Sequence, residues 1–211
     1  MKFAILGASG HGKVVADALF SSNKDADILF FDDAFPQIQN NEHWTVNGTF
    51  EDLTKRIKEF DGVVVAIGKN STRYEKQLEL RAIGANIISI IHPKATVSPF
   101  AKIGSGVVVL AGGIINAGAN IGDACIVNSN AVVEHDCVLK ASVHISPGAN
   151  VAGGVIIGAG SWIGIGSSVK QLIKIGNNVI VGAGSVVISN ITENSTVVGV
   201  PAKLLAEKKI C

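Results

Sequence analysis

A histidine that stands between two carboxylates is the first feature of this sequence that could do chemistry. His135 is flanked by Glu134 and Asp136 in the stretch NSNAVVEHDC, which covers 128–137. Neighbouring acids favour the imidazolium form, and an unperturbed histidine exchanges its proton near pH ~6.5. Such a side chain suits a general base, and an ordinary surface histidine is the alternative that these residues leave open.

A glycine-rich segment near the start of the chain is suited to bind an anion. GASGHGK at 7–13 lies between a strand-like and a helix-like run, so its backbone N–H groups can face a phosphate. It nearly matches the motif GxxxxGK, but Val14 stands where a Ser or Thr would hold magnesium, which disfavours an NTPase. It does not fit GxGxxG, so support for an NAD site is weak. Asp32 and Asp33 end the second predicted strand, where they either accept hydrogen bonds from a ribose or base or form a solvated turn.

The first 92 residues alternate between strand-like and helix-like segments. The sequence predicts buried strands over 3–6, 28–31, 63–67 and 87–91, and helices over 11–21, 50–60 and 71–83. This βαβαβαβ order predicts a small parallel sheet, and ligands of such sheets bind at the carboxyl ends of the strands. The glycine-rich segment and the two aspartates both fall at such ends.

The second half of the chain repeats every six residues. From Val97 to Val187 each sixth residue is Val, Ile or Leu, sixteen in all, and the residue four positions later is mostly small. A hexad with one branched and one small inward residue suits short parallel strands joined by tight corners. Three hexads close a triangular coil of 18 residues, so sixteen hexads predict a solenoid of a little over five coils.

The hexad also places the chemically interesting residues on the solenoid. Its first and fifth positions point inward, so His135 in the third position faces outward, whereas Cys137 in the fifth is a poor nucleophile. Gly153 lies 18 residues after His135 and therefore directly above it, where the missing side chain leaves room for a ligand. His144 follows His135 by nine residues, half a coil, and faces a different side.

Because the two histidines face different sides, we expect them to meet across an interface between protomers. The outward apolar residues Trp162 and Val108 are the candidates for contact with a partner, and Trp162 also for contact with a cofactor. An incidental exposed aromatic is the alternative for Trp162.

Composition disfavours several kinds of partner. Lys and Arg number 18 against 17 Asp and Glu, so no broad basic field is available to grip nucleic acid. No apolar stretch approaches the roughly 20 residues of a membrane-spanning helix. The chain enters a strand directly after Met1 and Lys2, so we expect a cytoplasmic protein without membrane insertion. Cys125, Cys137 and Cys211 show neither metal-ligand nor disulfide spacing.

Five segments together resemble the NeuD/PglD family of sugar acetyltransferases, over essentially the whole chain. They are GASGHGKVVAD at 7–17, FDD at 31–33, IHP at 91–93, hexads such as IGDACI at 121–126, and VGVPAK at 198–203. The resemblance implies an α/β, Rossmann-like domain over 1–92 that binds a nucleotide sugar. It also implies a left-handed parallel β-helix over 93–211 that binds acetyl-CoA, and a homotrimer that needs no metal.

The resemblance further implies roles for single residues. His135 matches the general base, and Asp136 matches the carboxylate that supports it, although the family commonly has Glu there, which keeps Glu134 as the alternative. The positions matched to the cofactor are Asn128, His144, Gly153, Gly164 and Pro201. The positions matched to the nucleotide sugar are Gly10, His11, Gly12, Lys13, Asp32 and Asp33.

The implied reaction moves an acetyl group from acetyl-CoA to the amine of a nucleotide-linked 4-amino sugar, with a UDP sugar favoured, in surface polysaccharide or other glycan biosynthesis. O-acetylation of sialic acid, as in NeuD-like members, is the alternative. A carbonic anhydrase is disfavoured because zinc needs about three converging protein ligands and the helix offers only His135 and His144. A non-catalytic scaffold would leave the α/β domain and the His135 cluster without a role.

Overall fold

The N-terminal domain is a parallel sheet covered by helices on both faces. The computed structural model describes residues 1–205. In chain order the elements of this domain are β1 (Lys2–Leu6), α1 (Gly10–Ser22), β2 (Asp27–Phe31), β3 (Asn40–Asn41), β4 (Trp44–Thr45), α2 (Phe50–Lys55), β5 (Gly62–Val65) and α3 (Asn70–Ala82). The sheet order is β2-β1-β5. Alternate residues of β1 face opposite sides, so Phe3 and Ile5 pack toward α1 while Ala4 and Leu6 pack toward α2 and α3.

The predicted parallel sheet is confirmed for three strands, and the fourth predicted strand is wrong. Only Ile87 reaches the sheet, through an isolated bridge to Val63. Ile90–Ile91 instead pairs with Val108–Val109 of the solenoid. The reason is register: residue 91 stands six residues before Val97, so this strand already belongs to the hexad series and stacks on the strand 18 residues later.

The predicted helix over 50–60 is split in two. Thr49 begins α2 with a capping box, in which its hydroxyl accepts from the Asp52 N–H and its own N–H donates to the Asp52 carboxylate. α2 ends at Lys55, and a 3-10 turn over Ile57–Glu59 follows. The longest helices within residues 1–205 have 13 residues, and none in that range has the length and apolarity that a membrane crossing requires.

The second domain is a parallel β-helix built from two-residue strands. In chain order these are β6 (Ile90–Ile91), β7 (Thr96–Val97), β8 (Lys102–Ile103), β9 (Val108–Val109), β10 (Ile114–Ile115), β11 (Asn120–Ile121), β12 (Ile126–Val127), β13 (Val132–Val133), β14 (Val138–Leu139), β15 (His144–Ile145), β16 (Asn150–Val151), β17 (Ile156–Ile157), β18 (Trp162–Ile163), β19 (Ser168–Val169), β20 (Lys174–Ile175), β21 (Ile180–Val181) and β22 (Val186–Val187).

The predicted period of six is confirmed along the whole series. From β7 onward the second residue of each strand is the hexad aliphatic, and strands pair in parallel with the strand 18 residues later. The strands form three sheets, and each sheet takes every third strand of the series. The first sheet begins with β6, β9 and β12, the second with β7, β10 and β13, and the third with β8, β11 and β14. The interior contains the hexad aliphatics and the small fifth-position residues, including the buried thiols of Cys125 and Cys137.

At the C-terminal end of the β-helix the spacing between paired strands is shorter than 18 residues. β21 pairs with β23 (Thr196–Val198) 16 residues on, and β24 (Lys203–Leu204) runs antiparallel to β23. Pro201 lies exposed in the turn between β23 and β24. Cys211 lies outside the described residues.

The small domain docks on the β-helix through one apolar and one polar contact. In the apolar contact, Val108 and Ile126 on the outside of the first sheet join the same buried cluster as Val15 and Leu19 of α1. The expectation that Val108 faces a partner protomer is therefore wrong, because the small domain of the same chain covers it completely. In the polar contact, α3 lies along one corner of the β-helix and touches successive coils with a stripe of side chains, which are Asn70, Arg73, Gln77 and Arg81.

Candidate functional site

His135 lies on the corner between β13 and β14 and is oriented by the residue that follows it. Its Nδ1 is 2.9 Å from Oδ2 of Asp136, and the His135 side chain is 65% exposed. A carboxylate at Nδ1 favours the tautomer that carries its proton there, which leaves Nε2 with a lone pair. Glu134 instead accepts a hydrogen bond of 2.8 Å from Asn116. The geometry therefore pairs the imidazole with Asp136 and not with Glu134.

Gly153 lies over the His135 ring, as the 18-residue coil predicts. A Cβ at position 153 would fall 2.5 Å from His135 Nε2 and 2.6 Å from Cε1, closer than any real contact of this kind. The coil spacing is fixed by backbone bonds, since Gly154 N–H donates to the carbonyl of His135 and Leu172 N–H donates to that of Gly153. Only glycine therefore leaves the imidazole in this position.

His144 has the opposite surroundings to His135. It lies in β15, only 7% exposed, with its ring stacked on Trp162 at a centroid distance of 4.7 Å. Trp162 is held in turn by a 2.6 Å hydrogen bond from its Nε1 to Ser146. Burial first, and then the charge of Arg73 and the proximity of His11, lower the pKa of His144 to about 3. The imidazole is therefore neutral at physiological pH.

The tautomer of His144 follows from its contact with Asn128. Asn128 Oδ1 accepts a hydrogen bond from Ser129 N–H, so the amide nitrogen faces the histidine, 3.1 Å from its Nε2. Nε2 must then accept, which puts the proton of the neutral ring on Nδ1. That Nδ1 is buried without a hydrogen-bond partner among the described residues. His144 therefore presents an unused donor.

His11 lies beside His144 and not with the rest of the glycine-rich segment. The two ring centroids are 6.5 Å apart, and His11 Nε2 is also buried without a partner among residues 1–205. Burial and then the Arg73 charge lower the pKa of His11 to about 4. His11 was predicted to bind the nucleotide sugar, and the structure places it between the two domains.

A cavity of about 250 Å³ lies at the carboxyl ends of β1, β2 and β5. Asp32 and Asp33 line it, as predicted, together with Ser9 and Gly68. Both aspartates also hold the surrounding loops: Asp32 accepts from the N–H groups of Ala8 and Ala34, and Asp33 accepts from Phe50 N–H. Their carboxylates thus form part of the cavity wall, with fixed orientation.

The other predicted residues of the glycine-rich segment serve different purposes. Gly10 begins α1 and is exposed. A Cβ at Gly12 would overlap the carbonyl oxygen of Gly7, so this glycine permits the close approach of helix and loop. Lys13 forms an ion pair with Glu42 beside the β3–β4 hairpin and does not line the cavity.

Two further clefts lie along the β-helix, and the larger of them adjoins this cavity. One, of about 410 Å³, contains His144, Trp162 and Gly164, and so brings together three of the candidate cofactor contacts. The other, of about 650 Å³, separates the N-terminal turn of α3 from the β-helix and shares Trp162 with the first. Gly68 lines both the larger cleft and the small-domain cavity. Pro201 lines neither cleft.

Sequence reasoning missed the α3 stripe altogether. Arg73 is wholly buried, and Gln77 nearly so, yet a polar helix face in a sequence indicates solvent. The only usable signal is spacing, because positions 70, 73, 77 and 81 fall on one helix face. Within residues 1–205, no group of three or more His, Cys, Asp or Glu side chains is placed to hold a metal ion.

Comparisons with known proteins agree with this arrangement of domains. A family model described as the PglD N-terminal domain matches residues 2–80. A UDP-N-acetylbacillosamine N-acetyltransferase of Bacillus subtilis (strain 168) is 38% identical over 110 residues, which are 51% of this chain and 50% of that protein. The match therefore spans about half the length of this curated relative.

Two solved structures are similar over nearly the whole chain. The acetyltransferase domain of PglB from Neisseria gonorrhoeae, in complex with acetyl coenzyme A, is 41% identical with a TM-score of 0.93, covering 97% of this chain and 98% of that one. A variant of perosamine N-acetyltransferase from Caulobacter crescentus, in complex with CoA and GDP-perosamine, is 34% identical with a TM-score of 0.91, covering 98% of each chain. With its α/β domain and left-handed β-helix, the chain belongs to the NeuD/PglD-like family of acetyl-CoA-dependent sugar acetyltransferases.

Proposed function

We propose that this protein transfers the acetyl group of acetyl-CoA to the amine of a nucleotide-linked 4-amino sugar, with a UDP sugar as the favoured acceptor. One observation carries the proposal: the His135 imidazole, with Nδ1 held by Asp136, directs Nε2 over Gly153 on the outside of the β-helix. The ligands of the two similar structures, acetyl coenzyme A in one and CoA with GDP-perosamine in the other, support it.

The small-domain cavity is the proposed nucleotide site. Its wall combines the Asp32 and Asp33 carboxylates, which can accept from ribose hydroxyls or base N–H groups, with the glycine-rich loop, whose backbone N–H groups suit a diphosphate. The cleft that holds His144, Trp162 and Gly164 is the proposed site for the thioester arm of the cofactor. Pro201, in the exposed turn beyond β23, remains a proposed contact for the distal part of that cofactor.

His135 is the proposed general base. The neutral amine attacks the thioester carbon, and Nε2 takes a proton from it as the C–N bond forms. The oxyanion can accept from Gly153 N–H, which has no hydrogen-bond acceptor among residues 1–205. Collapse of the tetrahedral intermediate breaks the C–S bond, and the departing CoA thiolate takes the proton from the His135 imidazolium. Asp136 acts only by positioning the ring.

Cys137 has no part in this reaction. Its thiol is buried inside the β-helix, and burial raises its pKa, so the nucleophilic thiolate is scarce. The proposed transfer is therefore direct, without an acyl-enzyme.

We also propose that the active form is a homotrimer. His135 lies on the corner after β13, whereas His144 lies in β15 of a different sheet, so one protomer presents them on different sides. A neighbouring protomer can bring its His135 to the His144 cleft, and exposed apolar side chains such as Leu172 and Ile165 offer contact surface. Sedimentation should give a trimer; a stable and fully active monomer would contradict this.

Acceptor comparison is the direct test of the proposed function. Release of CoA from acetyl-CoA should be measured with UDP-, dTDP- and GDP-linked 4-amino sugars and with sialic acid, and the products checked by mass spectrometry. We expect the highest kcat/KM with a UDP-4-amino sugar and an N-acetylated product. Turnover with sialic acid alone would replace the proposed acceptor, and no turnover with any of them would contradict acetyl transfer to these sugars.

A further inference from the structure

Arg73 is a fully buried arginine whose donors are all used. Its exposure is 0%, and Nε donates to the carbonyl of Ala124 at 2.8 Å. Nη1 donates to the carbonyls of Ile67 and Gly68 at 2.9 and 3.0 Å. Nη2 donates to Asn70 Oδ1 at 2.8 Å and to Ser142, through its hydroxyl at 3.2 Å and its carbonyl at 3.3 Å.

None of these acceptors is a carboxylate, so the guanidinium charge lies in the protein without a counter-ion among its hydrogen-bond partners. A buried charge is costly unless every donor is satisfied, and an apolar side chain of similar volume would usually fill such a place at lower cost. Only the planar five-donor fork of arginine satisfies this set of acceptors at once. The residue type is therefore demanded by the acceptors and not by helix packing.

The acceptors belong to two regions that the proposed reaction must hold in register. Gly68 lines the small-domain cavity and the larger cleft, and Ile67 lines the cavity beside it. Ala124 and Ser142 lie on stacked corners of the β-helix, and Ser142 stands two residues before His144. One guanidinium thus connects the wall of the nucleotide cavity with the coil that carries His144.

We infer that Arg73 is a positioning residue for acetyl transfer: it fixes the 67–68 loop of the nucleotide cavity against the β-helix, so that the amine of a bound nucleotide sugar is delivered at a fixed place. The inference rests on the proposed function and deepens it. The Asn70 and Ser142 side chains complete the connection, since Ser142 Oγ donates to the carbonyl of Asn70 and Asn70 Nδ2 donates to that of Gly160.

The buried charge has a second consequence for the same site. The charge of Arg73 lowers the pKa of both His11 and His144, and in each case it is the second-largest cause after burial. Arg73 therefore helps to keep both imidazoles neutral while it orders the loop.

The test compares Arg73→Lys and Arg73→Ala with Arg81→Ala. Lysine keeps the charge but has three donors on a flexible stem, so it cannot hold the loop and the β-helix together. For Arg73→Lys we expect the KM for a UDP-4-amino sugar to rise at least about tenfold, with the KM for acetyl-CoA within about twofold. Arg81, on the same helix as Arg73, forms an exposed ion pair with Asp123 of the β-helix, and its loss should leave both values unchanged.

Chemical rescue separates positioning from mere structure. Guanidinium at low millimolar concentration should restore the nucleotide-sugar KM of Arg73→Ala and should have no effect on Arg81→Ala. Parallel increases in both KM values, or no rescue in a variant that melts like the wild type, would overturn the inference. If Arg73→Ala does not fold, Ser142→Ala is the second variant: it removes one acceptor, and an unchanged nucleotide-sugar KM would equally overturn it.

A failure of the proposed function is recognised separately. It would appear as a wild-type protein that acetylates no nucleotide sugar. In that case calorimetric titration with UDP alone still tests the inference, because Arg73→Lys should bind UDP at least about tenfold more weakly than the wild type. Equal affinity would contradict it.

Discussion

His135 and His144 are nine residues apart in one β-helix, and their surroundings differ in every respect that governs imidazole chemistry. His135 lies on an exposed corner, and the Asp136 carboxylate orients it through Nδ1. His144 lies in a strand beneath the small domain, stacked on Trp162, with an amide from Asn128 at Nε2. The first has a carboxylate that orients its ring, and the second has surroundings that oppose a positive charge on it.

Position in the coil, not residue type, therefore underlies the different roles that we propose for the two histidines. A corner residue points into solvent beside its own neighbours in the chain, so a carboxylate one position away can pair with it. An outward strand residue is available for whatever docks on the sheet, and here the small domain removes it from water. We propose proton transfer for the corner histidine, and cofactor binding for the strand histidine, which lines the proposed thioester cleft.

The largest expected effect is that of removing the proposed base. His135→Ala should lower kcat by at least about a hundredfold, because a general base contributes typically about 10² to 10⁴-fold, while both KM values stay within a few-fold. Steady-state kinetics at pH 7 measures this, with the exposed histidine variant His43→Ala as the control. A near-normal kcat for His135→Ala would place the base elsewhere, with His11 as the next candidate.

The next effect concerns the space above the ring. Gly153→Ala would put a methyl group 2.5 Å from His135 Nε2, so the imidazole must move from its corner. We expect kcat to fall by roughly tenfold or more, since a displacement of about 1 Å can cost up to about a hundredfold. The melting temperature should change little because the displaced ring is exposed. An unaffected kcat would mean that the observed ring position is not the reactive one.

Asp136→Asn and Glu134→Gln form a matched pair. The first removes the carboxylate from His135 Nδ1, and asparagine tolerates the positive φ of 59° at this corner. The second alters only the contact with Asn116. We expect a loss in kcat of about tenfold for Asp136→Asn and of less than about twofold for Glu134→Gln. A larger loss for Glu134→Gln would reverse the assignment of the supporting acid.

The smallest effect appears in stability against pH. The folded-state pKa values of His11 and His144 are lowered to about 4 and about 3, below the ordinary value of 6.5, so beneath that pH the unfolded chain binds more protons. The free energy of unfolding should therefore be fully present above pH 6.5 and fall on acidification toward pH 4 and then 3. Each histidine contributes up to about 1.4 kcal/mol per pH unit to this slope. His144→Gln should show a shallower slope in urea unfolding; an identical slope would contradict the buried neutral state.

Much of the β-helix was predictable because its six-residue repeat is visible in the sequence. An aliphatic residue at every sixth position predicts where each strand lies, which of its residues point inward and which residue stacks on it 18 positions later. The position of Gly153 over His135 follows from this spacing. The strand at Ile90–Ile91 was misassigned because a short apolar run fits a buried sheet strand as well as a first hexad. The strand with which this segment pairs, and not its composition, distinguishes the two assignments.

The contacts between the domains were not predictable in the same way. The sequence predicts contact of Val108 with a partner protomer and gives no sign that Arg73 is buried, because a single sequence contains no record of which outward residues another domain covers. Lys13 fits a phosphate-binding motif, yet the ion pair with Glu42 depends on a hairpin that the sequence did not reveal. Asp136 was chosen over Glu134 only through family resemblance, and the contact distances support that choice.

The division of work between the two histidines is tested most directly by the ring nitrogen shifts of His144 in ¹⁵N NMR spectra of the histidine-labelled protein, assigned with His144→Gln. We expect a neutral ring with the proton on Nδ1 throughout pH 5–8, unchanged in His135→Ala, because burial and Asn128 fix both the charge and the tautomer. A His144 ring that takes up a proton within that range, or that carries its proton on Nε2, would contradict it.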